Sequence, residues 1–211
     1  MKQIILIALC LIALTSPAHD KKYEEAMTRQ IQIVYTSEKT EELQAAVNSL
    51  DRISQAEKDK WEPLYYAAFG YVMLANQETG ASKKDAHLDQ ALKRLDQASL
   101  LSKDNSEITA LEGFVHMIRV TIDPNTRGQQ YSGLSMQAFG KALQQNPGNP
   151  RAMALMAQMQ YGMAQFFNSP TTEACGLAQK ALAQFNSGKT EGVLSPAWGK
   201  GMTEDMLKRC Q

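Results

Sequence analysis

The four residues Pro147-Gly148-Asn149-Pro150 constrain the fold of this chain more than any other stretch. Pro147 cannot continue a helix, because it lacks a backbone N–H and disfavours helical geometry in the residue before it. Gly148 is free to take a positive φ just past a helix end. Asn149 is a good N-cap, and Pro150 suits the first position of a new helix. The sequence therefore predicts two helices that are joined by a tight turn and pack antiparallel.

The residues on both sides of this turn resemble the boundary between two tetratricopeptide repeats (TPRs). Ala142 lies five residues before Pro147, which is the spacing found at the end of such a repeat. Phe139 stands where TPRs carry an aromatic ring, and Ala157 stands where the next repeat requires a small residue. A similar pattern recurs upstream at Ala91, Leu95, Ala98 and Gly113, and a weaker one downstream at Ala174, Ala178 and Ala181.

This resemblance implies an all-α fold of eight or nine helices, in antiparallel pairs stacked as a short right-handed TPR-like solenoid. Ala98 and Ala142 are 44 residues apart, whereas a standard repeat has roughly 34 residues. We expect the excess in loops inside each helix pair. The Trp198-Gly199-Lys200 segment and the cysteine near the C-terminus are also similar to secreted bacterial TPR-like proteins. A plain helical bundle with similar turns is the alternative.

The first eighteen residues have the pattern of a signal peptide that is cleaved after Ala18. Lys2 precedes an apolar run that starts at Ile4, and small residues occupy Ser16 and Ala18. The run is short for a membrane span, although a retained N-terminal anchor is the alternative. We therefore expect one domain over 19–211, in the periplasm or secreted, with 187–211 as its C-terminal cap.

The charge of the expected mature chain excludes several classes of partner. Removal of residues 1–18 leaves 193 residues with 21 basic and 22 acidic side chains, and neither sign is concentrated in one stretch. A nucleic-acid-binding protein would carry a basic stripe, and a peripheral membrane protein a polybasic patch. We therefore expect no nucleic acid partner, and no membrane span after signal cleavage.

Two cysteines, Cys175 and Cys210, remain after cleavage, which is an even number in an exported chain. The predicted helices 172–185 and 202–210 bring the two sulfurs together if the last helix folds back. The sequence predicts a disulfide that holds this terminal helix, worth about 3–4 kcal/mol in the loop-entropy description, with Trp198 packed beneath it. A redox-active pair is the alternative, although neither cysteine has an activating motif beside it.

Catalytic motifs are missing from the sequence. The chain has three histidines, and Glu112 with His116 lacks the second histidine of a zinc-protease helix. No GxSxG, glycine-rich phosphate loop or CxxC is present. We predict a protein without catalytic activity or cofactor.

The binding residues that we predict lie in two stretches. Helix 61–76 is so aromatic that its rings cannot all face the core, and its candidates for contact with a partner are Trp61, Tyr66 and Tyr71. The stretch Asp123 to Gly133 has the composition of an irregular loop, which would present Arg127 and Tyr131. The alternatives are that the rings pack between neighbouring repeats and that the loop covers a hole.

The function that we predict is a noncatalytic scaffold for protein–protein interactions, whose concave groove receives a protein segment or peptide. The alternative is an envelope protein that binds a small molecule or a metal. Four thioethers that could bind Cu(I) follow one another at helical spacing, at Met153, Met156, Met159 and Met163, although the same spacing suits a core face. A scaffold should show an open, partly aromatic concave face, and a ligand binder an apolar pocket with polar groups.

Overall fold

A computed structural model describes residues 17–188 and 192–210, and within these ranges the chain forms nine α-helices and no strand. The predicted all-α class is confirmed. Residues 1–16 of the predicted signal peptide lie outside the described residues. The helices are α1 (Pro17–Thr36), α2 (Thr40–Ala56), α3 (Glu62–Gln77), α4 (Ala81–Leu101), α5 (Ser106–Ile122), α6 (Pro124–Gln145), α7 (Pro150–Phe166), α8 (Thr172–Asn186) and α9 (Lys200–Lys208). None of these helices is long and apolar enough to cross a membrane.

The helices stack in two layers of successive hairpins. Each helix from α1 to α8 packs against the next one in the chain, and α1, α3, α5 and α7 also contact one another in that order. The described even-numbered helices lie further apart from one another, and long side chains bridge them, as Arg94 of α4 does to Asp51 of α2. The stack therefore curves, with the odd-numbered helices forming its concave layer, as in TPR solenoids.

The Pro-Gly-Asn-Pro turn joins α6 to α7 as predicted, although its glycine keeps a negative φ. The side-chain oxygen of Asn146 instead accepts a hydrogen bond from the Gly148 N–H at 3.0 Å, which closes the turn. Asn149 caps α7 by accepting from the Ala152 N–H at 3.0 Å. Its amide also donates to the Ser106 hydroxyl at 3.0 Å, so the buried cap joins α7 to the start of α5.

The stretch Asp123 to Gly133 is helical, so the predicted irregular loop is wrong. Asp123 is the N-cap of α6 and accepts from the Thr126 N–H at 3.3 Å, and Pro124 occupies the first turn. Asp-Pro is a helix-start signal, and burial of the apolar face further along α6 compensates for the two glycines. The residues in excess of a standard repeat thus lengthen α4 and α6 to 21 and 22 residues, instead of forming loops.

Phe139 and Ala157 are fully buried, as the resemblance to TPRs predicted. The Phe139 ring occupies the space above Gly113, where a Cβ atom would lie 2.4 Å from the ring. Because the ring is enclosed, it cannot move aside for a side chain at position 113. Glycine at this position is therefore what allows α5 and α6 to approach closely.

Gly113→Ala should lower the free energy of unfolding by about 1–3 kcal/mol, because the added methyl group overpacks the contact with Phe139. Gly140→Ala on α6 is the matched control, since a Cβ there meets no described atom within 4 Å. This control should be neutral or slightly stabilising, because alanine favours helix. Urea unfolding followed by circular dichroism measures both changes, and equal stability of the two variants would contradict the packing argument.

Candidate functional site

The concave groove of the stack is filled by a segment of the same chain, residues 194–198, which we call the strap. The Leu194 carbonyl accepts a hydrogen bond from the Tyr66 hydroxyl at 2.8 Å, and the Ala197 N–H donates to the Tyr35 hydroxyl at 3.2 Å. Burial raises the pKa of the Tyr66 hydroxyl, so this group stays protonated and can donate. The strap therefore lies across α1 and α3, which satisfy two of its backbone polar groups.

Trp198 ends the strap and is buried in the groove, with 8% of its surface exposed. Its ring stacks on Phe69 of α3, with centroids 4.8 Å apart, and on Phe114 of α5, at 5.8 Å. Its indole N–H donates to the Tyr65 hydroxyl at 3.0 Å. The prediction that Trp198 packs beneath the disulfide is therefore wrong, because the concave layer offers it two aromatic faces and a hydrogen-bond acceptor.

A buried ion pair supports the strap from the side of α7. Arg151 donates to the Glu107 carboxylate through Nε at 2.5 Å and Nη2 at 2.7 Å, and through Nη1 to the Trp198 carbonyl at 3.4 Å. Gly199 then turns the chain towards α9 with a φ of 103°, which a side chain would strain. The strap thus contacts all four helices of the concave layer.

The disulfide predicted between Cys175 and Cys210 is confirmed, with Cα atoms 5.9 Å apart. It fixes the end of α9 to α8. The Tyr161 hydroxyl of α7 also donates to the Arg209 carbonyl at 3.1 Å. Arg209 and Cys210 are therefore held by two neighbouring helices.

The aromatic residues predicted to contact a partner are mostly buried. Tyr66 is 1% exposed and holds the strap, and Tyr71 is 8% exposed and faces α4, with the Arg94 guanidinium 5.5 Å from its ring. Trp61 is partly exposed and packs edge-on against Tyr65 at 5.5 Å. The expected surface exposure is therefore wrong for Tyr66 and Tyr71, which pack between elements of the stack.

Arg127 and Tyr131 also make contacts within the fold. The Arg127 guanidinium donates to both carboxylate oxygens of Asp85 on α4, at 2.9 and 2.8 Å. The Tyr131 ring stacks on His116 with centroids 6.0 Å apart, and the Arg119 guanidinium lies 5.5 Å from it. These side chains attach α6 to α4 and α5, and the structure does not bring them together with Trp61.

An open cleft of about 770 Å³ lies between the end of α5, the first half of α6 and the second half of α7. Its apolar lining consists of Met117, Val120, Pro124, Met159, Met163, Phe166 and Phe167. Its polar lining consists of Thr121, Asn125, Gln129, Ser132, Gln158 and Arg209. Gly128 and Gly162 complete the walls, and a Cβ on either would meet no described atom within 4 Å. The helix backbone at these two glycines therefore borders the open space of the cleft.

Phe166 and Phe167 at the end of α7 are each 68% exposed, and their rings pack edge to face at 5.1 Å. Exposed large apolar groups beside a cleft are a signature of a binding surface. Of the described residues that line the cleft, only Arg209 is charged. The cleft thus combines apolar walls with a single, exposed cation.

The sequence pattern alone does not reveal this cleft. Two members of the methionine row, Met159 and Met163, line it, whereas Met153 and Met156 do not. Across the described ranges, no group of three or more His, Cys, Asp or Glu side chains could hold a metal ion. The adjacent phenylalanines at the end of an amphipathic helix were the available signal, but only the tertiary structure shows that no described residue covers them.

Comparison with known proteins supports a TPR-like fold. No family model matches the sequence, and no curated protein matches it significantly. The structure is similar to that of the HusA haemophore from Porphyromonas gingivalis, with a TM-score of 0.79, 28% identity, and coverage of 90% of this chain and 92% of that one. A TPR protein of Thermus thermophilus matches with a TM-score of 0.50, 15% identity, and coverage of 81% and 83%.

Trp198→Ala should lower the free energy of unfolding by about 3–5 kcal/mol, because it removes a buried ring that is stacked on two others. Trp61→Ala is the matched control, since this partly exposed ring has a single aromatic neighbour, and it should cost less than half as much. Urea unfolding measures both. Equal effects would show that the strap does not stabilise the concave layer.

These contacts and comparisons establish an all-helical, TPR-like fold. Its groove is occupied by the strap, and its open cleft lies between α5, α6 and α7.

Proposed function

We propose that this protein binds a flat, largely apolar, anionic small molecule of the tetrapyrrole class, such as haem, in the cleft between α5, α6 and α7. The observation that carries the proposal is the open apolar cleft with exposed aromatic rings and one cation. Its volume of about 770 Å³ is typical of small-molecule sites. The similarity to a protein described as a haemophore supports this ligand class.

The lining suits the two parts of a tetrapyrrole. The macrocycle is flat and aromatic, so it can stack on Phe166 or Phe167 and contact the thioethers of Met159 and Met163. The carboxylates of the ligand would remain in contact with solvent beside Arg209, which is exposed and lines the cleft. The apolar macrocycle thus meets apolar side chains, and the negative carboxylates meet a positive one.

Iron coordination should contribute little to the binding of haem in this cleft. The described lining contains no histidine, cysteine or tyrosine, and its only soft donors are the thioethers of Met117, Met159 and Met163. His116 of α5 is stacked on Tyr131, and neither residue is part of the lining. We therefore expect metal-free protoporphyrin IX to bind with an affinity similar to that of haem.

Gly162→Leu should weaken haem binding by at least about tenfold, because the side chain enters the cleft and competes for the ligand's apolar contacts. Since this position faces open space, the variant should unfold at the same urea concentration as the wild type or a higher one. Gly140→Leu is the matched control, because residue 140 does not line the cleft and is equally uncrowded. Titration of haem followed by its absorption spectrum measures the affinity, and unchanged binding by Gly162→Leu would exclude this cleft.

This role would be noncatalytic and extracytoplasmic. The cleft offers side chains that bind and orient a ligand, and its described lining holds no nucleophile paired with a base. The Cys175–Cys210 disulfide favours an oxidising compartment. Together with the predicted signal peptide, it supports export to the periplasm or beyond.

A protein-interaction scaffold is the second candidate function. The TPR-like fold and the way in which the groove holds the strap support it, because Tyr35, Tyr65 and Tyr66 bind the strap's polar groups as they would bind a peptide. In this case the strap is the internal occupant that a partner segment would replace.

A labelled peptide with the sequence of residues 192–199 tests this second function. It should bind the Trp198→Ala variant, in which the native occupant is weakened, and bind the wild type more weakly, because the tethered strap competes at an effective concentration of roughly millimolar. Fluorescence anisotropy measures both affinities, and circular dichroism checks that the variant is folded. A peptide with alanine in place of tryptophan is the control. Equal binding of the two peptides would contradict a peptide site at this groove.

A further inference from the structure

We propose that Arg209 selects ligands of the cleft that carry a carboxylate, and that the Cys175–Cys210 disulfide positions Arg209 for this role. This inference rests on the proposed function, because it concerns the same cleft. It adds the residue that recognises the acidic part of the ligand. It also makes this recognition depend on whether the Cys175–Cys210 disulfide is intact.

The charge of Arg209 is available to a ligand. Its guanidinium lies 5.3 Å from the Tyr161 ring, and its side chain is exposed at the edge of the cleft. In the described part of the chain, no carboxylate lies within ion-pair distance of it. Asp205, one turn earlier, is paired with Lys208 at 2.7 Å. The guanidinium is therefore held over a ring and not neutralised, a geometry that leaves its N–H groups free for a carboxylate.

Three contacts determine where Arg209 lies. Met206 is fully buried against α7 and α8, the Tyr161 hydroxyl donates to the Arg209 carbonyl at 3.1 Å, and Cys210 is bonded to Cys175. The helix that precedes Arg209 has only nine residues. A helix so short has little stability of its own, and chain ends fray unless they are attached. Loss of the disulfide should therefore release Arg209 from the edge of the cleft.

The ligand class that this arrangement selects has an apolar body and at least one carboxylate. The planar guanidinium can form two parallel hydrogen bonds with a carboxylate, which a carboxylic ester cannot accept with the same strength. Reduction of the disulfide should thus weaken the binding of acidic ligands and leave the apolar contribution of the cleft in place.

The experiment compares protoporphyrin IX with its dimethyl ester, which keeps the macrocycle and lacks the negative charges. Both are titrated against the full-length protein in the same buffer, with binding followed by absorption and by quenching of protein fluorescence. The variants are Arg209→Gln and the double variant Cys175→Ser/Cys210→Ser. Lys208→Gln is the matched control, because Lys208 is adjacent and exposed but does not line the cleft.

We expect the wild type and Lys208→Gln to prefer the diacid over the ester by about fivefold, the size expected for one exposed ion pair. Arg209→Gln and the double cysteine variant should bind the two ligands with equal affinity and bind the ester as the wild type does. Tyr161→Phe, which keeps the disulfide and the ring but loses the hydrogen bond to the Arg209 carbonyl, should show an intermediate preference. This variant tests the positioning if the double cysteine variant does not fold.

The possible failures are distinguishable. If the wild type binds neither porphyrin, the proposed function is wrong and this inference with it. If the wild type binds both and Arg209→Gln keeps the preference for the diacid, the role of Arg209 is excluded while the proposed function stands. If Arg209→Gln loses the preference but both the double cysteine variant and Tyr161→Phe keep it, the disulfide does not position this residue.

Discussion

The insertion of Trp198 between Phe69 and Phe114 is the contact on which the arrangement of the concave layer depends. It joins α3 and α5 through one ring, and the hydrogen bond of that ring to Tyr65 fixes its depth. The adjacent ion pair between Arg151 and Glu107 extends the same cluster to α7. A stack of hairpins makes contacts only between neighbours, so a segment that crosses several inner helices ties together parts of the chain that are otherwise independent.

This crossing has a consequence for function. An inner groove is the usual place for peptide recognition in helical repeat proteins, and here it is filled by residues 194–198 of the same chain. An open apolar cleft lies instead between α5, α6 and α7, beside Phe166 and Phe167. The N-terminal half of α7 thus contributes Arg151 to the support of the strap, and its C-terminal half lines the cleft.

Local signals predicted the helices well and their ends less well. The turn around Asn149 and the burial of Phe139 follow from backbone rules and from spacing along one face. The stretch from Asp123 to Gly133 has the composition of a loop, because Asp-Pro-Asn favours a turn and two glycines allow unusual backbone geometry. In the structure its N-cap and the buried face further along α6 outweigh them. Helix propensity is a small term per residue, and tertiary burial overrides it.

The sequence by itself determined the all-helical class, the paired arrangement of helices and the link between Cys175 and Cys210, because these depend on local backbone preferences and on there being two cysteines outside the predicted signal peptide. Only the tertiary structure decided where the aromatic rings point. Tyr66 and Tyr71 could have faced solvent in an isolated helix, and they are buried because the strap and α4 cover them. The cleft beside Phe166 was equally undecided by the sequence, since an apolar side chain remains exposed only when no other element of the fold covers it.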